Sequence, residues 1–182
     1  EEVNDLIIAL PGVNTTAHML FSLAFPGALK KKFMVFSSIE DAVLNGEADA
    51  GVIIHENRFT YEAKGLHKVM DLGDYWEKTS GNPIPLGGIV VNRRYETTLM
   101  QQVDELIRQS LISSRNAYPE LSAFIRSNAQ EMEEDVMRKH IGLYVNDYSL
   151  DLGRLGRAAV WQMLEIAGQI FPQPVAGSYE VF

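Results

Sequence analysis

The sequence predicts an α/β protein whose first half alternates short strands with helices and whose second half is almost entirely helical. Two observations lead there. Through residues 1–90, short apolar runs such as "DLIIAL", "KKFMVFS" and "ADAGVIIH" are separated by segments with helical apolar spacing, the pattern of strands linked by helices. From about Tyr95 onward apolar residues recur at intervals of three and four, with no convincing strand among them. The expected organisation is an α/β lobe over 1–90 and a mainly helical part of a second lobe over 91–182.

Each element has its own justification. "DLIIAL" (5–10) reads as a strand, and "NTTAHMLFSLAF" as a helix with Ala17, Leu20, Phe21 and Ala24 on one face. "KKFMVFS" (31–37) is a second strand. "SSIEDAVLNGE" is a helix with Ser38 as N-cap, Asp41 three residues on, and Asn45 with Gly46 as its stop. "ADAGVIIH" (48–55) is nearly continuous in hydrophobicity, as suits a parallel strand covered on both faces. "LHKVMDLG" (66–73) and "LGGIVVN" (86–92) are expected to be two more strands. In the second half Leu99, Val103, Leu106, Ile107 and Leu111 form one stripe, and Leu121, Phe124 and Ile125 begin another. Val136, His140, Ile141 and Tyr144 line a third helix, and Val160, Met163, Leu164, Ala167 and Ile170 a fourth. A helical array of this size calls for a sheet to pack on, and its own half does not supply one.

Composition narrows the function. With 46% hydrophobic and 22% charged residues, the 182-residue chain has globular proportions rather than those of a disordered one. Its net charge of −8, from 16 basic and 24 acidic residues, gives an extended nucleic-acid or anionic-membrane surface little electrostatic basis. The absence of cysteine excludes disulfides, thiolate metal sites and a cysteine nucleophile. No apolar run approaches the roughly 18 residues of a membrane span, and no basic-then-apolar segment opens the chain as an export signal would. The chain starts at Glu1 and enters a strand almost at once, so further polypeptide is expected in front of it.

Two stretches carry candidate chemistry. In "LPGVNTTAH" a strand ends at Leu10, Pro11 and Gly12 make a turn, and Thr15 or Thr16 caps a helix whose first N–H groups lack partners. Such an end is either a plain cap or an anion site that glycine lets a ligand approach closely. In "GVIIHENRFTY" the third strand delivers His55 and Glu56 to the carboxyl end of the sheet, where ligands bind in open α/β folds. A histidine there is either a general base or acid or a structural residue bonding a loop. Glu56, next along the strand, is expected to face away from His55, and Arg58 is a candidate carboxylate partner. "HENRF" lacks the second histidine of a zinc-protease helix, and His18, His67 and His140 read as surface or core residues, so no metal is expected. Tyr75 and Trp76 either wall a pocket for a flat ligand or bury a helix against the sheet.

"PGVNTTAH", "GEADAGVIIHENRFTY", "GLHKVMDLGDYWEKTSGNPIPLGGIVV" and "YVNDYSLDLG", in this order, closely resemble the 1,4-dihydroxy-6-naphthoate synthases of the futalosine route to menaquinone. "DLGDYWE" and "PIPLGG" depart mildly from that family's "DLG.WWE"-like and "PLPLGG"-like segments. The resemblance implies a two-lobed fold like the type II periplasmic binding proteins, one lobe being incomplete in this chain because the family carries a further N-terminal segment. It implies a cytoplasmic, cofactor-free lyase that takes the carboxylate-bearing cyclic dehypoxanthine futalosine, abstracts a proton, and releases the naphthoate and a three-carbon fragment. His55 matches the expected general base, and Thr16 with Ala17 the pair at the ligand; Thr15 and Gly12 adjoin them. A small-molecule partner follows, with the oligomeric state left open, a homodimer included. A solute-binding protein and the sister chorismate dehydratase share the implied fold and stay as alternatives.

Overall fold

Three short parallel strands, β1 (Ile8–Leu10), β2 (Lys31–Phe33) and β3 (Ala50–Gly51), pair in the order β2-β1-β3. This computed structural model describes residues 2–128 and 133–171, apart from the side chains of Glu2 and Glu56. All three residues of the central strand are buried, as an apolar strand covered on both faces must be. Side chains alternate across a strand. Ile8 and Leu10 accordingly pack with Phe21 of α1 (Thr16–Ala24), and Ala9 packs on the other face with Ile39 of α2 (Ile39–Leu44). A Cβ at Gly51 would overlap the Ile39 side chain, so glycine there is what lets α2 lie close on the sheet.

By their internal contacts the described residues form two units: 2–85 with 155–171, and 86–128 with 133–154. The first holds the sheet, α1, α2, α3 (Leu72–Ser80) and nearly all of α8 (Gly153–Ile170). Asp71 caps α3 by accepting from the Gly73 and Asp74 amides, and Gly81 in the left-handed region ends it. Trp76 is fully buried against Met19 and Leu20 of α1, with Met163, Ile166, Ala167 and Ile170 of α8 around it. Its indole N–H donates to the Pro83 carbonyl at 3.2 Å. Trp76 therefore buries a helix, and with Tyr75 it also lines a cavity of about 170 Å³ beside Leu23, Thr79 and Gln162.

The second unit contains α4 (Thr97–Ala117), α5 (Ala123–Asn128), α6 (Glu134–Tyr144) and α7 (Asp147–Leu150). Three of the apolar stripes read from the sequence fall on these helices, with Leu121 just ahead of α5, and the fourth falls on α8 in the first unit. Arg115 of α4 pairs with Asp147 at the start of α7 at 3.0 Å, and Glu134 accepts from Arg126 and Arg138. No residue of α4 is buried, and Leu106 in its stripe is 64% exposed. The end of the helical half, 172–182, lies outside the described residues.

The strand expectations need correction. β1 to β3 are shorter than the runs 5–10, 31–37 and 48–55, and β3 stops at Gly51. The segments 66–71 and 86–92 join no ladder, and Leu72 and Gly73 already belong to α3. Most of their apolar residues lie open: Val69 is 80%, Ile89 78% and Val90 93% exposed, while Leu66 and Leu86 are half-buried. β-branched runs become strands only beside another edge, and the described residues offer none in register. Ser38 stands at the N-cap of α2 without a side-chain bond, whereas Asn45 and Gly46 end that helix as expected. Among the described residues no helix is long and apolar enough to cross a membrane.

Candidate active site

The strand order 2-1-3, with α1 on one face and α2 on the other, creates a switch point at the carboxyl ends of β1 and β3, where doubly wound sheets leave a crevice. The segment after β1 brings Gly12, Thr15, Thr16 and Ala17 to that edge; the segment after β3 leads to His55.

Gly12 turns the chain at φ 147°, a conformation closed to most side chains. The Thr15 hydroxyl donates to the Gly12 carbonyl at 2.9 Å and accepts from the His18 amide at 3.1 Å, so it is occupied as the cap. The first intrahelical bond runs from the Met19 amide to the Thr15 carbonyl. The Thr16 and Ala17 amides, and the Thr16 hydroxyl, have no hydrogen-bond partner among the described residues. They form the donor end of α1, favourable to negative charge. Ala17 is buried and offers this edge its backbone rather than its side chain.

His55 opens a 3-10 turn, His55–Phe59, after Ile54, whose backbone is extended. Its φ of 58° makes it the one non-glycine residue of positive φ among the described residues. Such outliers cost of order 1–3 kcal/mol and persist where the surroundings over-determine them, often at functional sites. The ring meets the Phe36 ring edge-on, centroids 5.0 Å apart. Because 55–59 is a turn, the two-face argument that turned Glu56 away from His55 does not apply. Arg58 reaches Asp71, the α3 cap, at 3.3 Å and lies over the Phe59 ring, tying this turn to α3.

The other histidines divide as follows. His18 is a core residue: its Nδ1 lies 2.7 Å from the Val13 carbonyl and its Nε2 3.3 Å from Lys31 Nζ, with Phe33 and Phe171 against the ring. A lysine donor at Nε2 leaves the ring proton on Nδ1, facing Val13. Partial burial lowers the Lys31 pKa, and Lys31 also donates to the Ser22 hydroxyl at 2.7 Å. His67 lies exposed in the segment once expected to be a strand, and His140 stacks on Tyr144 with centroids 4.6 Å apart.

Sequence reasoning passed over Glu40. It is 1% exposed, and its Oε2 accepts from Asn57 Nδ2 in the His55 turn and from Lys64 Nζ at 2.7 Å. An acidic residue in the first turn of a short helix looks like an exposed complement to the helix dipole. What buries it is a packing of 3-10 turns 17 and 24 residues away, which no local pattern displays.

The profile of a family described as "Menaquinone biosynthesis" matches residues 1–169. A 1,4-dihydroxy-6-naphthoate synthase from Streptomyces coelicolor is 39% identical over 162 residues, 86% of this chain and 57% of that protein. One from Thermus thermophilus is 38% identical over 178 residues, 96% of this chain and 65% of that protein. The chain thus spans 57% and 65% of the length of these relatives. A crystal structure of an Archaeoglobus fulgidus protein superposes with a TM-score of 0.85 at 29% identity, covering 93% of this chain and 64% of that one.

Proposed function

The chain belongs to the menaquinone biosynthesis family, and from that premise we propose that it carries the proton-abstracting site of a 1,4-dihydroxy-6-naphthoate synthase. The names of its two relatives support the reaction. The single observation that supports the site is the edge formed by the carboxyl ends of β1 and β3, with helix donors after one strand and an imidazole in a constrained turn after the other.

In this reading the Thr16 and Ala17 amides and the Thr16 hydroxyl hold the carboxylate or another anionic oxygen of cyclic dehypoxanthine futalosine. Gly12 keeps the approach open, and Thr15 holds the helix end in shape. His55, neutral, takes a proton from the substrate. The electron pair of that bond forms a ring double bond as the carbon-carbon bond to the three-carbon fragment breaks; the fragment departs with the pair of the broken bond and takes the proton back from His55, leaving an aromatic naphthoate whose stability pulls the reaction forward. One positioned base suffices, because the ring system itself carries the electrons. No cofactor or metal takes part in this scheme.

The proposal extends to the fold and the setting: a two-lobed protein of the type II periplasmic-binding-protein kind, working on a small carboxylate in the cytoplasm. The uncovered stripe of α4 and the exposed apolar segments 66–71 and 86–92, which join no ladder among the described residues, support this reading. Incubation with cyclic dehypoxanthine futalosine, following dihydroxynaphthoate by chromatography, tests the reaction. Product formed by the parent protein and not by His55→Ala is expected. Binding without turnover would point to a solute-binding protein, and turnover of chorismate instead to the sister dehydratase.

A further inference from the structure

We infer that Glu40 is a positioning residue for His55, acting through Asn57; the inference rests on the reading of His55 as the base. His55 lies between two anchors. On its N-terminal side the Val52 amide donates to the Ala9 carbonyl at 2.9 Å, and Ile53 packs against the core around Ala9 and Ile39. On its C-terminal side Asn57 donates to the Glu40 carboxylate, and the Asn57 carbonyl accepts from the Thr60 amide at 3.1 Å. Lys64, from the next 3-10 turn (Tyr61–Lys64), reaches the same Oε2 at 2.7 Å. One buried carboxylate oxygen therefore holds both turns that follow His55. Phe36, which meets the imidazole edge-on, precedes α2 by three residues, so the ring wall and the clamp come from one short segment.

A buried carboxylate is costly to desolvate and is retained where its hydrogen bonds fix something. A left-handed histidine persists only under constraint from both sides. Glu40 supplies the constraint on one side, and its removal frees the turn without removing any group proposed to touch substrate.

The test uses Glu40→Leu, Glu40→Gln and His55→Ala in the full protein, reading kcat, KM and the NMR resonances of the His55 ring. Leucine fills the site and accepts nothing; glutamine keeps an acceptor for Asn57. Glu40→Leu is expected to lower kcat at least about tenfold with KM within about twofold, since small misplacements of a reacting group cost about that much or more. It is also expected to shift the His55 resonances, and Glu40→Gln to restore most of both. Parent-like kcat and His55 resonances in Glu40→Leu, with turnover abolished in His55→Ala, would overturn the inference and leave the base reading standing. Should His55→Ala turn over at the parent rate, the base reading fails, and the His55 resonances in Glu40→Leu decide the positioning claim alone. If Glu40→Leu does not fold, Asn57→Ala cuts the same link from the other side and is read in the same way.

Discussion

At His55 a left-handed backbone and a titratable ring coincide, and the two properties make separable predictions. His55→Gly removes the imidazole while relieving a conformation that only glycine adopts freely. Its melting temperature is expected to equal or exceed the parent's while turnover is lost, the pattern of strain retained for function. A melting temperature several degrees lower would show that the ring's chief task is to hold the loop. The two threonines separate similarly. Thr15→Ala, which removes the helix cap, should cost about 1 kcal/mol of stability in denaturant unfolding. Thr16→Ala should leave stability nearly unchanged and raise KM. The sequence displayed both threonines and the histidine, because turn glycine, cap and strand end are local signals. It did not display Glu40, whose partners lie far along the chain.

At the scale of elements, α1, α2 and the centre of the sheet were legible because apolar spacing and caps are written within a few residues. The strands at 66–73 and 86–92 were not, since a strand is a relation between segments and β-branched composition gives only one side of it. Trp76 was legible as aromatic but open in its use; its burial against α1 and α8 depends on residues more than fifty positions away in either direction. Trp76→Ala is expected to lose about 3–5 kcal/mol in equilibrium unfolding, the cost of emptying a large core position. At the start of α6, hydrogen bonds from Arg138 and then Arg126 hold the Glu134 carboxyl below the ordinary carboxylate range. A carboxyl depressed in the folded state stabilises above its unfolded pKa, about 4.3, and that contribution disappears as pH falls through the lower folded value. Amide protection in the first turn of α6, taken relative to the intrinsic exchange rate at each pH, should therefore hold near pH 5 and fall in stronger acid. Glu134→Gln should abolish that dependence.

For the whole molecule, a central parallel sheet with helices on both faces was readable from alternation alone, whereas the packing of α8 in the same unit as that sheet was not. The two-lobed reading makes a further demand. Backbone amides of 66–71 and 86–92 should exchange rapidly in the 182-residue chain and slow markedly in a chain extended to the length of the curated relatives. Equal exchange in both would contradict that reading. The central claim, that His55 acts as a base beside a site built by other groups, is tested most directly by separating binding from chemistry. Titration calorimetry with cyclic dehypoxanthine futalosine on parent and His55→Ala, beside single-turnover rates of naphthoate formation, makes that separation. The account predicts substrate affinity within about threefold and a rate at least about 100-fold lower in the variant, the usual scale of a lost general base. Affinity lost in the variant while the bound substrate still reacts at the parent rate would contradict it.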